Sequence, residues 1–327
     1  MQDGSQDPQR GAMVPTDPAS HAVAPSILHG TLMLVLGCIA AMFLPFVGVL
    51  LIAYGMRELA EAKGLRGLAL ALALCAGLVL ISLFSDVNAS ILLAPMMVSC
   101  LGVVFCMWRG ATVTNISVAI AIAALVSFGI DAAIAASSGD SIHDIATSYF
   151  ADSLRVSAGS DIEGDLLFQQ IGYLIEAMWP FMYVSSASLD ALVAGIGSYL
   201  MHTRSTGRPK RPSLSNFDAP MWSVGVLSIA IVCLGASFTG FAEAGIVRTI
   251  SATALMSIRI IFACQGFGVV NAWMSRKRIG CATRTLSIFF IFWSEMMFFI
   301  MSIVGLIDVW ANFRKLPRDG SYIQEQQ

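Results

Sequence analysis

Long continuous hydrophobic runs, separated by short polar segments, dominate the chain from residue 27 to residue 315. The runs are long enough for membrane-spanning helices, and they lack the alternation of apolar and polar residues that strands of a transmembrane β-barrel show. We therefore predict an all-α, polytopic transmembrane bundle of about eight or nine helices. The apolar runs are Ile27–Tyr54, Gly67–Phe84, Ile91–Met107, Val113–Ala136, Trp179–Leu200, Trp222–Phe238, Ile250–Trp273 and Leu286–Trp310.

One of these runs carries a signal of a bend, and another is preceded by a further predicted helix. Ile27–Tyr54 is too long for one comfortable span and contains Pro45. Two shorter helices hinged near Pro45 are favoured, although one tilted and kinked helix also fits. Before the span that begins at Trp179, the segment Leu166–Met178 is predicted to be an amphipathic helix that leads into the membrane.

Polar segments outside the spans predict the domain limits. Residues 1–26 are rich in Pro, Asp, Gln and Ser, a composition typical of a disordered tail. Residues 27–315 form the predicted transmembrane helical domain, and residues 316–327 form a C-terminal tail.

Charge in the loops predicts the orientation in the membrane. Lys and Arg cluster in every second loop, most strongly in residues 203–215, whereas residues 137–165 form a long acidic loop. The positive-inside rule places the basic loops and the N-terminus in the cytoplasm and the acidic loop outside the cell membrane. Arg314, Lys315 and Arg318 fall on the predicted outer side, so either the last segment is re-entrant or the rule is violated there.

Composition excludes several classes of protein. Hydrophobic residues make up 57% of the chain and charged residues 12%, about half the usual share in a soluble domain. No basic tract with interleaved aromatic residues indicates a nucleic acid partner, so the lipid bilayer is the first expected partner. The cysteines and histidines lack metal-ligand spacing, and HExxH, GxSxG and P-loop motifs are missing, so we expect no metal, no cofactor and no enzyme activity.

Polar residues inside the last two runs are the main candidates for a functional site. A charge at bilayer depth costs at least about 2.5 kcal/mol and needs a partner, a water-filled cavity or a function. Helix rise, counted from the short basic loop near residue 279, predicts Gln265 and Glu295 at one depth, Arg259 further out, and Arg248 level with Asp308 near the outer surface. Three interpretations remain open for this polar column: ion pairs that hold the helices in register, a ligand cavity lined by Arg259, Gln265 and Glu295, or snorkelling of Asp308 and Arg248 to the membrane interface.

A second buried acid lies in the run that begins at Trp179. Asp190 is a further candidate for substrate binding, and Ala187, Ala191 and Gly195 recur every four residues beside it. Such a row of small residues permits close helix approach, either in plain packing or at an interface with a partner. Trp310 fits an interfacial aromatic belt.

Four segments resemble a known family. Phe262–Gly266 contains a Gln-Gly pair, Gly305–Asp308 has the pattern Gly-hydrophobic-hydrophobic-Asp, Phe313–Lys315 ends in a basic pair, and Asp218–Trp222 leads into a span. Over residues 215–318 this combination resembles the YybS-like membrane proteins, a family built on domain of unknown function 2232.

The resemblance implies a function. The YybS-like family is distantly similar to the substrate-binding subunits of energy-coupling-factor transporters. The resemblance thus implies a membrane-embedded component that captures a small molecule from outside and docks on a transmembrane coupling subunit driven by ATPases. The alternative is a structural or regulatory membrane protein whose buried charges fix helix packing and whose basic loop contacts anionic lipid or a partner. A cavity lined by Arg259, Gln265 and Glu295 would favour transport, and solid packing there would favour the structural role.

Overall fold

The computed structural model of the chain describes residues 23–85, 87–110, 112–144, 147, 162–207, 214–240, 243–277 and 279–316. These residues form helices joined by short turns, and none of them lies in a β-strand, so the predicted all-α class is confirmed. The long helices are α1 (Ile27–Ala41), α2 (Pro45–Lys63), α3 (Leu65–Ser85), α4 (Val87–Arg109), α5 (Val113–Ser138), α6 (Ile162–Thr206), α7 (Met221–Ala236), α8 (Ala244–Arg276), α9 (Cys281–Phe298) and α10 (Ile300–Ala311).

Several predicted loops and tails lie outside the described residues. They include residues 1–22 of the N-terminal tail and residues 317–327 of the C-terminal tail. Nearly all of residues 145–161 in the acidic loop and residues 208–213 in the basic loop are outside as well.

The number of spans is lower than predicted. Within the described ranges, six helices are long and apolar enough to cross a membrane, or seven if the bent pair α9–α10 counts as one. The prediction of eight or nine was too high because α1 and α2 do not qualify. With 15 residues α1 measures only about 22 Å, short of the roughly 30 Å of a bilayer core. The last two turns of α2 carry Arg57, Glu58, Glu61 and Lys63.

The hinge predicted near Pro45 is present. Helix α1 ends at Ala41 and α2 begins at Pro45. Proline is tolerated at the first position of a helix, because a backbone N–H at that position would make no hydrogen bond within the helix. The two helices then pack backbone against backbone: a Cβ added at Gly48 would lie 2.5 Å from Ala41 Cα, and one at Gly55 would lie 2.5 Å from Gly30 O. Glycine at these positions therefore sets the close approach. The side chains fully buried around this contact are Leu34, Val49, Ile52, Met56 and Leu59.

Helix α6 contains the predicted change from a lead-in helix to a span. Met178 has non-helical dihedrals (φ −129°, ψ 18°), and Pro180 two residues later removes a helical hydrogen bond and crowds the preceding turn. Beyond the kink, Ala187 packs with Ala123 and Ala124 of α5, and Ala191 belongs to the core shared with α2 and α4.

The small-residue row on α6 is thus used inside the bundle. Gly195 is half-buried, with its nearest neighbour the Met107 sulfur of α4, 3.9 Å from an added Cβ. Of the two interpretations, plain packing is the one that these contacts match.

The last predicted span is broken. Helix α9 stops at Phe298, Phe299 adopts the left-handed region (φ 58°), and α10 departs at 95° from α9. Helix α9 runs antiparallel to α8, and the ring centroids of Phe292 in α9 and Phe267 in α8 lie 6.4 Å apart. Arg284 of α9 donates a hydrogen bond to Asn271 Oδ1.

Helix α10 packs back against α8. Ser302 contacts Arg259, and Asp308 further along α10 contacts Gln265 further along α8. A Cβ added at Gly305 would lie 1.9 Å from the opposing Phe262 O, so the two backbones touch. We call α9 and α10 together the re-entrant hairpin.

The end of the re-entrant hairpin returns to the level where α8 ends. Arg276 Nη2 donates to Arg314 O at 2.9 Å. Arg314 and Lys315 thereby join the basic end formed by Arg276 and Lys277, which removes their departure from the alternation of basic loops.

Candidate functional site

The break at Phe299 is held by a carboxylate from the preceding turn. Glu295, 5% exposed, accepts hydrogen bonds at Oε2 from Met301 N (2.7 Å) and Ser302 N (3.1 Å). Its Oε1 accepts from Ser302 Oγ at 2.6 Å. The first amides of a helix have no internal partners and carry positive partial charge, so a carboxylate there both satisfies and stabilises α10.

Arg259 of α8 neutralises this carboxylate. Its Nε donates to Glu295 Oε1 at 3.0 Å and its Nη2 donates to Glu295 O at 2.9 Å. The guanidinium carbon lies 3.8 Å from the centroid of the Phe299 ring. Arg259 therefore binds the end of α9, its acid and the residue at the break, as the predicted Arg259–Glu295 pair requires. We call Arg259, Glu295, Phe299 and Ser302 the break cluster.

A second group of buried polar residues lies closer to the basic end. Asp308, 2% exposed, accepts at Oδ2 from Gln265 Nε2 (3.1 Å) and from Arg314 Nη2 (2.7 Å). Its Oδ1 accepts from Phe313 N at 2.8 Å. Gln265 has no exposed surface, and its Oε1 accepts from Ala219 N at 2.8 Å. We call Gln265, Asp308, Arg314 and Ala219 the Asp308 cluster.

Arg314 extends this cluster to the segment before α7. It donates to Ser215 O at 3.0 Å and to Phe217 O, and its Nη2 lies 3.7 Å from the half-exposed carboxylate of Asp218. The Asp308 cluster thus ties together α8, α10 and residues 214–220. The four segments that carry the family resemblance meet here, although they are far apart in the sequence.

Two of the predicted pairings are wrong. Gln265 bonds to Asp308 instead of Glu295, and Arg248 lies far from Asp308, with its guanidinium carbon 5.0 Å from the centroid of Phe238. The depth estimate assumed one continuous helix after the loop. Because the chain turns back at Phe299, Asp308 lies beside Gln265 instead of at the level of Arg248.

The remaining predicted residues stand apart from both clusters. Asp190 is 9% exposed beside the core of α2, α4 and α6, and its carboxylate has no hydrogen-bond or ion-pair partner in the described part of the chain. Trp310 is exposed on α10, where an aromatic belt would need it. Outside the predicted residues, Asp131 near the C-terminal end of α5 accepts a hydrogen bond from Tyr183 Oη of α6 at 2.7 Å.

Sequence reasoning missed a network at the ends of α1, α2 and α6. His29 Nδ1 lies 2.5 Å from Glu58 Oε2, and Glu61 Oε1 lies 2.8 Å from Arg57 Nε and 3.0 Å from His202 Nδ1. Arg57 and Glu58 are 7% and 2% exposed, although they lie outside the apolar runs of the sequence. The available signal was the spacing of Arg57 and Glu61, four residues apart in α2, which places these opposite charges on neighbouring positions of a helix.

The pKa of Glu61 reflects this network. Burial opposes ionisation of its carboxyl, but hydrogen bonds from Ser205, Arg57 and His202 outweigh burial and lower the pKa. No group of three or more His, Cys, Asp or Glu residues with metal-binding geometry occurs in the described ranges.

In the part of the chain that the structure describes, six or seven apolar helices, with a re-entrant hairpin held by ion pairs, define a polytopic helical membrane protein. The chain belongs to the family of predicted membrane proteins built on domain of unknown function 2232, whose family model matches residues 26–309. The match covers the α1–α2 hairpin and every residue of the two clusters except Arg314. No curated protein and no solved structure matches the chain.

Proposed function

We propose that this protein is a substrate-binding component of a membrane transport system, without catalytic activity, and that the re-entrant hairpin is its binding element. The observation that carries the proposal is the break at Phe299 with the partly buried Arg259–Glu295 pair. Irregular backbone at membrane depth is tolerated only where protein buries it or where it lines a cavity, and transporters place substrates at such discontinuous helices.

The depth and accessibility of Arg259 support this assignment. Arg259 lies 17 residues before Arg276, which is about 25 Å of helix from the basic end of α8. We propose that this basic end faces the cytoplasm and that the acidic loop lies on the external side of the cell membrane. The Arg259 side chain is 21% exposed, whereas that of Glu295 is 6% exposed. An anionic group of a small molecule arriving from outside would therefore meet Arg259 first and would compete with Glu295 for it.

An energising partner is the second part of the proposal. The chain has no nucleotide-binding motif, so active transport requires a separate energising subunit or an ion gradient, and we propose a coupling subunit with ATPases. Helix α3 offers a surface for it, because Ala73 and Ala76 are exposed and nothing lies within 4 Å of a Cβ added at Gly77. Small residues of this kind allow a helix of another subunit to approach closely.

Native mass spectrometry of protein purified in its own lipid tests the binding role. The expected result is a retained small anion that is lost in Arg259→Gln and kept in Arg248→Gln, a matched change on the same helix outside both clusters. Co-purifying ATPase subunits would support the transport assignment further. If the wild-type protein retains no small molecule, or if Arg259→Gln retains as much as Arg248→Gln, the binding role is wrong.

A structural or regulatory role is the second candidate, and one observation favours it. Glu295, Gln265 and Asp308 are almost fully buried, and their polar atoms bond to protein groups. Charges satisfied in this way hold a fold without any ligand. Under this alternative, Arg259→Gln lowers thermal stability and leaves every bound mass unchanged.

A further inference from the structure

A groove of about 740 Å³ lies between α3, α4 and α5, away from both clusters. Its walls come from the first two turns of α3, the last three turns of α4 and the first turns of α5. Leu68 and Ala119 form a buried floor, while Leu72 and Val118 at the rim are 52% and 53% exposed. The groove therefore opens sideways, toward the lipid, and its volume falls within the roughly 300–1,000 Å³ of ligand-binding pockets.

One end of the groove is polar and positively charged. Arg109 and Asn115 line that end, and the remaining lining is apolar except for the thiol of Cys106. The guanidinium carbon of Arg109 lies 5.3 Å from the centroid of Trp108 and 5.9 Å from that of Phe105. Arg109 is exposed and has no carboxylate partner in the part of the chain that the structure describes.

The length of the groove matches one leaflet of a bilayer. On α4 it extends from Val98 to Arg109, a rise of about 16 Å. Half of a hydrocarbon core of about 30 Å is close to that length. Because basic ends of spans face the cytoplasm, the Arg109 end lies at the cytoplasmic interface.

From these observations we infer that the groove binds one acyl chain of an anionic phospholipid of the cytoplasmic leaflet, with the lipid phosphate on Arg109. The apolar walls take the chain, and the rim leaves the second chain in the bulk bilayer. The unpaired guanidinium lies near two aromatic rings and meets the phosphate with donors that suit a tetrahedral anion. The proposal does not depend on the transport assignment, because none of its residues belongs to the re-entrant hairpin.

Lipid titration followed by native mass spectrometry tests this inference on the full-length protein. Delipidated protein in detergent receives phosphatidylglycerol or phosphatidylcholine with identical chains, and the bound lipid is counted. The wild-type protein should bind one phosphatidylglycerol more tightly than phosphatidylcholine. Arg109→Gln should weaken phosphatidylglycerol about five-fold, the effect expected of one basic residue at a lipid surface. It should weaken phosphatidylcholine less, because the choline ammonium offsets the charge of the phosphate that Arg109 binds.

Two pairs of variants separate the headgroup from the chain. Arg66→Gln removes an exposed arginine on α3 that does not line the groove, so it should bind both lipids as the wild type does. Ala69→Trp fills the groove and should lose both lipids, whereas Ala73→Trp on the same helix outside the groove should lose neither.

Two results overturn the inference. Equal loss of phosphatidylglycerol in Arg109→Gln and Arg66→Gln would mean general surface charge rather than a site. Wild-type binding of both lipids by Ala69→Trp would mean that no chain occupies the groove. Helix content measured by circular dichroism confirms that each variant is folded before it is titrated.

Discussion

Replacing Glu295 by glutamine should destabilise the re-entrant hairpin by about 2–4 kcal/mol. Breaking a buried ion pair by removing one partner costs about 3–5 kcal/mol. Glutamine keeps one oxygen that can accept from the amides of Met301 and Ser302, which reduces the loss. Water also screens part of the charge left on Arg259, since this side chain is 21% exposed.

Asp218→Asn provides the matched control. Asp218 also pairs with an arginine, but its carboxylate is 39% exposed and lies 3.7 Å from Arg314 Nη2. Arg314 keeps its short bonds to Asp308 when Asp218 is changed. An exposed pair of this kind contributes about 0–1 kcal/mol, so Asp218→Asn should be nearly neutral.

Reversible unfolding of the purified protein by a denaturing detergent, followed by circular dichroism, measures both variants. A double-mutant cycle with Arg259→Gln should give a coupling energy of about 1–3 kcal/mol between residues 259 and 295. Equal destabilisation by Glu295→Gln and Asp218→Asn, or a coupling energy near zero, would refute the reasoning that the buried pair holds the hairpin.

Three further predictions concern packing, topology and pH. Gly305→Ala should lower stability by about 1–3 kcal/mol, because its methyl group would meet a backbone carbonyl 1.9 Å away, whereas Gly225→Ala should be neutral or stabilising in the same unfolding assay because nothing lies within 4 Å. Single cysteines placed at Lys277 and Lys315 should react with a membrane-impermeant maleimide from the same side of the membrane, and labelling from opposite sides would show that the hairpin is not re-entrant. The depressed pKa of Glu61 means that its ionised form contributes stability above its ordinary pKa of 4.5, and this contribution is lost as pH falls below that value. The melting temperature of the wild type should therefore drop more steeply between pH 6 and pH 3.5 than that of Glu61→Gln, and parallel curves would contradict the network around this residue.

Much of the fold follows from short stretches of sequence. The hinge before Pro45 and the kink beside Pro180 come from a residue type that restricts its own backbone and that of its neighbour. Continuous apolar runs likewise predict helices in the bilayer, since an unpaired backbone amide in hydrocarbon is too unfavourable for other structures. These features need no knowledge of distant residues, and the predicted hinge near Pro45 and the helical class are confirmed.

The candidate site depended on contacts that no local pattern encodes. Composition and hydropathy identified Arg259 and Glu295 as costly charges that needed each other, and they are paired. The break that brings them together falls at Phe299, where neither proline nor glycine marks it. It is stable only because the carboxylate of Glu295 satisfies the amides of α10 and Arg259 of α8 neutralises that carboxylate.

The sequence by itself thus determined the class of the protein, most of its helices and the polar residues that matter, because each of these depends on how single residues partition between water and lipid. Tertiary structure alone decided which polar groups meet. Gln265 pairs with Asp308 because α10 turns back along α8, and Arg57 and Glu58 are buried because α1 and α6 close over them. Which buried polar groups bond to each other depends on how distant segments pack. A depth estimated by counting residues along the sequence assumes this packing and cannot predict it.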